Sequence, residues 1–293
     1  MIHTLTGVVG TDGGTVSADV ATLCVTGKKL VAGDVLTLEL ASPHGFRLRD
    51  WAPGAHIDLV LPNGMTRQYS LCGDRWNPFT YRVGVLHEQS GRGGSAYVHD
   101  ELEVGDHVGV GGPRNNFALV PSEEYLFVAG GIGITPLLPM VRQAESLGAD
   151  WRLLYGGRHR LSMAFLDELA GYGERVQVAP QDEFGLLDLP AFLGASRPGV
   201  KIYSCGPAPL LDAMERACVD WPPYTLRTER FVGEELGGPV RTAPFEVELA
   251  RTGTTVTVTG RRCRTTRRRG IGRRSRVRRG LGTDRSVSPA GVP

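Results

Sequence analysis

From residue 21 to 121 the apolar positions come in short alternating runs. In Val35-Leu36-Thr37-Leu38-Glu39-Leu40 leucines fill one side and mixed residues the other, the period-two mark of a half-buried strand. Ile57, Leu59 and Leu61 repeat it, Pro62-Asn63-Gly64 supplies a hairpin turn into 66–71, and 81–86 and 107–110 add two more strands. A single short helix is predicted over 95–102. Many short strands joined by tight turns predict an antiparallel six-stranded β barrel over 21–121. Residues 1–20 show no clear period and are expected to form a loose arm.

The pattern changes at Glu124. Apolar strands are predicted at 125–129, 151–155, 176–179, 201–204 and 224–228, with helices at 136–147, 163–170 and 207–219. Pro136 and Pro207 fall where the first turn of a helix tolerates a missing N–H. This alternation predicts a parallel five-stranded sheet in an α/β domain over 122–232, with ligands at its carboxyl edge. A Gly/Pro-rich linker over 233–243 leads to a hairpin at 245–250 and 254–258, within a remnant domain over 244–260. Beyond it lies a disordered Arg-rich tail over 261–293, almost without apolar residues.

Charge sharpens that last boundary. The formal net charge is +2, yet residues 261–293 hold twelve arginines and one acid, which leaves a body of net charge −9. The five cysteines, at 24, 72, 205, 218 and 263, include no C-x-x-C pair. No disulfide framework or zinc site follows from them, and a reducing cytoplasm is the expected location. The first 25 residues lack the layout of a secretory signal, and the longest apolar run, over 128–141, is too short to span a bilayer. No membrane and no metal ligands are expected.

Four segments carry candidate chemistry. Arg67-Gln68-Tyr69-Ser70 lies on the strand after the hairpin, where Arg67 and Tyr69 share a face and Ser70 offers its N–H and hydroxyl. The same residues would equally suit a barrel strand with a surface arginine. Gly91-Arg92-Gly93-Gly94-Ser95 opens the short helix, either as a phosphate-binding backbone or with Ser95 as a plain cap. Ala129-Gly130-Gly131-Ile132-Gly133-Ile134-Thr135-Pro136 follows an apolar strand and opens a helix, which suits the close approach of a pyrophosphate. Tyr203-Ser204-Cys205-Gly206-Pro207 puts Cys205 at the carboxyl edge of the same sheet, although a lone cysteine there is usually a small buried hydrophobe.

In this order, RQYSL at 67–71, GRGGS at 91–95, GPRNNF at 112–117, AGGIGITP at 129–136, YGGR at 155–158, YSCGP at 203–207 and ERF at 229–231 resemble the phthalate dioxygenase reductase and vanillate demethylase reductase family of the ferredoxin–NADP⁺ reductase superfamily. The resemblance implies an FMN-binding barrel followed by a nicotinamide-binding domain, and hydride transfer from NADH to FMN. Arg67, Gly93, Gly94 and Ser95 would hold the phosphate of FMN, and Tyr69 and Ser70 its ring. Gly130, Gly131, Gly133, Thr135, Pro136, Gly206 and Pro207 would hold the nucleotide. Ser70, Thr135, Cys205 and Phe231 would surround the point where nicotinamide meets flavin, with Phe231 ending the last strand. Arg158 and Arg160 would reach a 2′-phosphate if NADPH were used instead; otherwise they are solvated loop arginines.

The family continues into a ferredoxin domain whose four cysteines hold a two-iron cluster, and a ferredoxin or terminal oxygenase is its electron-accepting partner. Here the hairpin is followed by Arg261-Arg262-Cys263-Arg264, which cannot supply four thiolates. The abrupt Arg/Gly/Val/Ser bias from about residue 260 is what a shifted reading of GC-rich DNA gives. A genuine basic tail for nucleic acid or another polyanion is the competing reading, weakened by the lack of aromatic residues to stack on bases. A stand-alone flavin or dye reductase and a non-catalytic nucleotide-binding protein remain alternative functions.

Overall fold

The computed structural model describes residues 20–88, 91 and 93–231, together with the backbone of 245–249 and 254–258. The loose arm, the linker, the Arg-rich tail and Arg92 lie outside the described residues. Residues up to Phe231 belong to one compact unit, and the hairpin to another.

The barrel is built from β1 (Val20–Ala32), β2 (Val35–Ala41), β3 (Ala55–Val60), β4 (Thr66–Ser70), β5 (Thr80–Leu86) and β6 (His107–Asn115), with α1 (Gly94–Asp100) between the last two strands. The sheet order is β4-β3-β6-β1-β2-β5, all pairs antiparallel, and a bridge from Leu71 to Val83 closes it. Alternation works as the sequence predicts. Leu36, Leu38 and Leu40, with Ile57, Leu59, Tyr81, Val83 and Val85, fill the interior. β1 lies outside the alternating runs named in the sequence, because bulges at Val25/Gly27 and Leu30/Ala32 break its alternation. The 62–64 turn forms as expected: Leu61 N–H donates to the Met65 carbonyl at 2.8 Å, and Gly64 adopts a φ of 82°.

The second half contains β7 (Glu124–Gly130), α2 (Ile134–Ser146), β8 (Asp150–Gly157), α3 (Leu166–Ala170), β9 (Val176–Pro180), α4 (Gln181–Phe184), α5 (Leu189–Leu193), β10 (Val200–Cys205), α6 (Ala208–Ala217) and β11 (Leu226–Glu229). The strands are parallel in the order β11-β10-β7-β8-β9. The chain therefore reverses its direction of winding between β7 and β10, and their carboxyl ends form the crevice where such sheets bind ligands. Two short helices, α4 and α5, fill the β9–β10 connection where none was predicted. The helix predicted over 163–170 is shorter, because Phe165 takes a left-handed φ of 64° and α3 starts only after it. The last strand ends at Glu229, so Phe231 lies beyond it rather than at its end.

The hydrophobic core does not stop at the boundary between the halves. Val35 and Cys72 of the barrel are buried in the same cluster as Phe127, Leu137, Met140 and Trp151 of the α/β half. The connector over 116–123 is fixed by two tyrosines of the parallel sheet. Tyr203 Oη accepts from Val120 N–H at 2.8 Å and donates to the Ala118 carbonyl at 3.1 Å. Tyr125 Oη accepts from Ser122 N–H at 2.8 Å and donates to the Val120 carbonyl at 3.0 Å. In the second unit, β12 (Phe245–Leu249) pairs antiparallel with β13 (Thr254–Val258), Phe245 opposite Val258. Among the described residues no helix is long and apolar enough to cross a membrane.

Tyr203→Phe is expected to cost about 0.5–1.5 kcal/mol, since it removes the hydroxyl that bonds the Val120 N–H and the Ala118 carbonyl of a partly exposed connector. Urea-unfolding midpoints measure this directly; an unchanged midpoint would mean the hydroxyl does not hold the connector.

Candidate functional site

The turns after β7 and β10 are pressed together, and glycine makes this possible. A Cβ on Gly133 would lie 2.2 Å from the Cys205 carbonyl oxygen, and one on Gly130 would lie 2.8 Å from Pro207 Cδ. Gly206 is equally tight, 3.0 Å from Gly130 Cα. These three glycines are therefore demanded by packing. Gly131 is different: it has a φ of 54° and open space where its side chain would be, leaving bare backbone facing the crevice. Pro136 is buried in the first turn of α2, and Pro207 caps α6.

On the barrel, Arg67 and Tyr69 share the half-buried face of β4, while Ser70 is buried at its end. Burial pushes the Tyr69 phenol up to about 12, so it stays neutral; Arg67 opposes the shift and Glu88 adds to it. Gly93, with a φ of 77°, is the cap of α1, which excludes the plain capping role for Ser95. Ser95 Oγ instead accepts from Glu88 N–H at 3.1 Å. Gly94 lies directly under the Arg67 side chain: a Cβ there would be 2.4 Å from Arg67 Nε. A guanidinium against bare backbone is a suitable place for a phosphate.

The two halves meet at the end of β4. Thr135 Oγ1 donates to the Ile132 carbonyl at 2.9 Å, so the hydroxyl closes its own turn. Its methyl faces the barrel, 2.8 Å from where a Gly84 Cβ would be. Cys205 is fully buried between Ala129 and Glu229 of the neighbouring strands. Burial raises its thiol well above the usual range, and the adjacent Glu229 carboxyl adds to the effect. It is a neutral thiol, not an activated one. Phe231 is exposed just past β11.

Glu229 is the residue that sequence reasoning passed over, although it opens the ERF stretch. Its carboxyl lies near the Ser70 hydroxyl, across the boundary between barrel and sheet, and that hydroxyl favours the charged form. Burial nevertheless dominates and lifts this carboxyl to about 7. Its Oε2 is buried without a protein partner, which fits a ligand donor entering between the two halves. At the far side, Arg158 is exposed after β8. Arg160 is held by Glu183, with Nε–Oε1 at 3.1 Å and Nη2–Oε2 at 2.7 Å.

No family model matches the chain. Relatives do: it is 45% identical over 229 residues to the phenoxybenzoate dioxygenase subunit beta of Ectopseudomonas oleovorans, covering 78% of this chain and 71% of that protein. It is 35% identical over 246 residues to the phthalate dioxygenase reductase of Burkholderia cepacia, covering 82% and 76%. The chain belongs to the phthalate dioxygenase reductase family. Its fold matches the solved structure of a phthalate dioxygenase reductase, described as modular and passing electrons from pyridine nucleotides to [2Fe-2S], with a TM-score of 0.71, 34% identity and coverage of 83% and 77%. A self-sufficient cytochrome P450 monooxygenase also matches, with a TM-score of 0.76 and 44% identity; there the reductase spans only 32% of the longer chain. The reductase is thus an oxidoreductase of oxygenase electron-transfer systems, with a flavin-binding barrel and a nicotinamide-binding domain.

Since Glu229 binds a proton in the folded reductase up to about pH 7 but only to about 4.5 when unfolded, its contribution to stability falls as pH rises through that window. Glu229→Gln should therefore gain stability relative to the parent between pH 5 and pH 8, read as the difference of urea midpoints. A pH-independent difference would refute the shifted carboxyl.

Proposed function

We propose that the chain takes hydride from NADH onto an FMN bound by the barrel and passes the electrons to a ferredoxin or oxygenase partner. In this reading Arg67, Gly93, Gly94 and Ser95 bind the FMN phosphate, and Tyr69 and Ser70 bind its ring. Gly130, Gly131, Gly133, Thr135, Pro136, Gly206 and Pro207 form the nucleotide crevice. The observation that carries it is the seating of the glycine-rich turn on the barrel, with the Thr135 methyl 2.8 Å from where a Gly84 Cβ would be and Gly133 pressed against the end of β10, which brings the proposed flavin barrel to the carboxyl edge of the proposed nucleotide sheet.

The flavin supplies the hydride acceptor and the means to release electrons one at a time. The chain's own residues bind, orient and manage protons. Near neutrality Glu229 is poised between its two protonation states, with the Ser70 hydroxyl of the barrel favouring the charged one. Neutral Cys205 and the Thr135 methyl close the crevice floor without adding charge. Exposed Phe231 is free to cover an aromatic ring at the crevice mouth. Residues 219–293 hold one cysteine, Cys263, which by itself cannot supply the four thiolates of the family's cluster.

Two experiments test this. Purified protein recorded anaerobically should show a flavin spectrum that NADH bleaches; a colourless protein that fails to oxidise NADH would sink the reading. Arg160 is expected to be unavailable to NADPH while Glu183 holds it in a two-pronged pair, which supports NADH as the donor. Glu183→Gln should then raise kcat/KM for NADPH about fivefold, the scale of an exposed pair, with little change for NADH. Equal changes for both nucleotides would remove Arg160 and Glu183 from the specificity argument.

A further inference from the structure

Alternation along β5 sends Tyr81, Val83 and Val85 into the barrel, which leaves Arg82, Gly84 and Leu86 facing the nucleotide-binding half. Arg82 holds Glu168 of α3 as a fork, Nη1–Oε1 at 2.8 Å and Nη2–Oε2 at 3.0 Å. Its Nη2 also donates to the Cys72 carbonyl at 3.0 Å, and its guanidinium lies over the Phe165 ring at 5.3 Å. The same Glu168 Oε2 accepts from Arg142 Nη2 of α2. Arg142 Nη1 in turn donates to the barrel carbonyls of Cys72, at 3.2 Å, and Gly73, at 2.9 Å.

Two cations from opposite sides of the seam therefore share one anion. The three side chains are only 21%, 31% and 33% exposed, so their charges are poorly screened. Removing the carboxylate does more than delete a bond. It leaves two guanidiniums facing each other in a half-buried seam, and the repulsion acts to spread it. The strain falls two residues along β5 from Arg82, at Gly84, where the Thr135 methyl and the Phe165 ring rest on the barrel.

We propose that Glu168 is a positioning residue for hydride transfer: its carboxylate, shared by Arg82 of the barrel and Arg142 of α2, sets the spacing between the flavin-binding barrel and the nucleotide-binding sheet. The inference rests on the reading above. In the transfer, the nicotinamide C4–H bond breaks with its electron pair and an N–H bond forms on the flavin ring, so the nicotinamide is oxidised and the flavin reduced by two electrons. Such a step is steep in distance; a displacement of about 1 Å costs roughly a hundredfold in rate. The proposed flavin contacts on β4 and α1 and the nucleotide turns are separate from Glu168, so binding of each ligand is spared.

The test is anaerobic stopped-flow bleaching of the flavin-loaded full chain by NADH, for the parent, Glu168→Gln and Arg82→Lys. Arg82→Lys keeps the charge but loses the fork, and serves where Glu168→Gln does not fold. The limiting bleaching rate should fall about tenfold or more in Glu168→Gln and less in Arg82→Lys. The NADH dissociation constant from the same traces should change by less than about threefold, with flavin content unchanged. Bleaching at the parental rate overturns the proposal, as does a fall that vanishes once rates are normalised to bound flavin. A parent that NADH does not bleach overturns the underlying functional reading itself, a result separable from failure of the variants alone.

Discussion

At Gly84 the barrel presents bare backbone, and on it rest a methyl of Thr135 and the ring of Phe165. This close approach is the constraint on which the rest of the molecule depends. Thr135 is locked to its own turn through Ile132, so seating its methyl also seats the glycine-rich turn after β7. That turn is wedged against the end of β10 by Gly133 and Gly130, and β10 carries β11 and Glu229 beside it. Backbone proximity at one point is thus passed through rigid elements to the carboxyl that meets Ser70.

The two polar links between the halves obey different electrostatics. The cluster around Glu168 is fully ionic and partly open to water, and it is satisfied by several donors at once. The approach of Glu229 to Ser70 is buried, and burial lets the carboxyl retain its proton to near neutrality although the nearby hydroxyl favours the charged form. One link holds the halves together by charge, and the other keeps charge out of the crevice until a ligand or a change of pH brings it in.

What could be read from the sequence follows the range over which each signal acts. Alternation in β2, β3 and β5 and the strand–glycine–helix layout at 124–146 are local, and they announced a six-stranded barrel and a five-stranded parallel sheet. β1 was not located because two bulges shift its register and break its alternation. α4 and α5 were missed because four or five residues carry too little periodicity to register. At the candidate site, the stretches around Ser70, Gly131 and Cys205 were singled out from their motifs, their places on the predicted elements and the family resemblance. Glu229 was quoted but given no role, since its meaning comes from Ser70 on a strand far away in the chain. Arg160 seemed free for the same reason, its partner Glu183 lying in an unpredicted helix.

The buried thiol at the end of β10 has a consequence for endurance. Reduced flavins exposed to air yield hydrogen peroxide, and sulfur is oxidised by peroxide chiefly in its thiolate form. Cys205 is sealed from solvent and held protonated by burial beside an acidic neighbour. Its sulfur is thereby kept chemically quiet, and the end of β10 would resist peroxide released by a flavin bound as proposed.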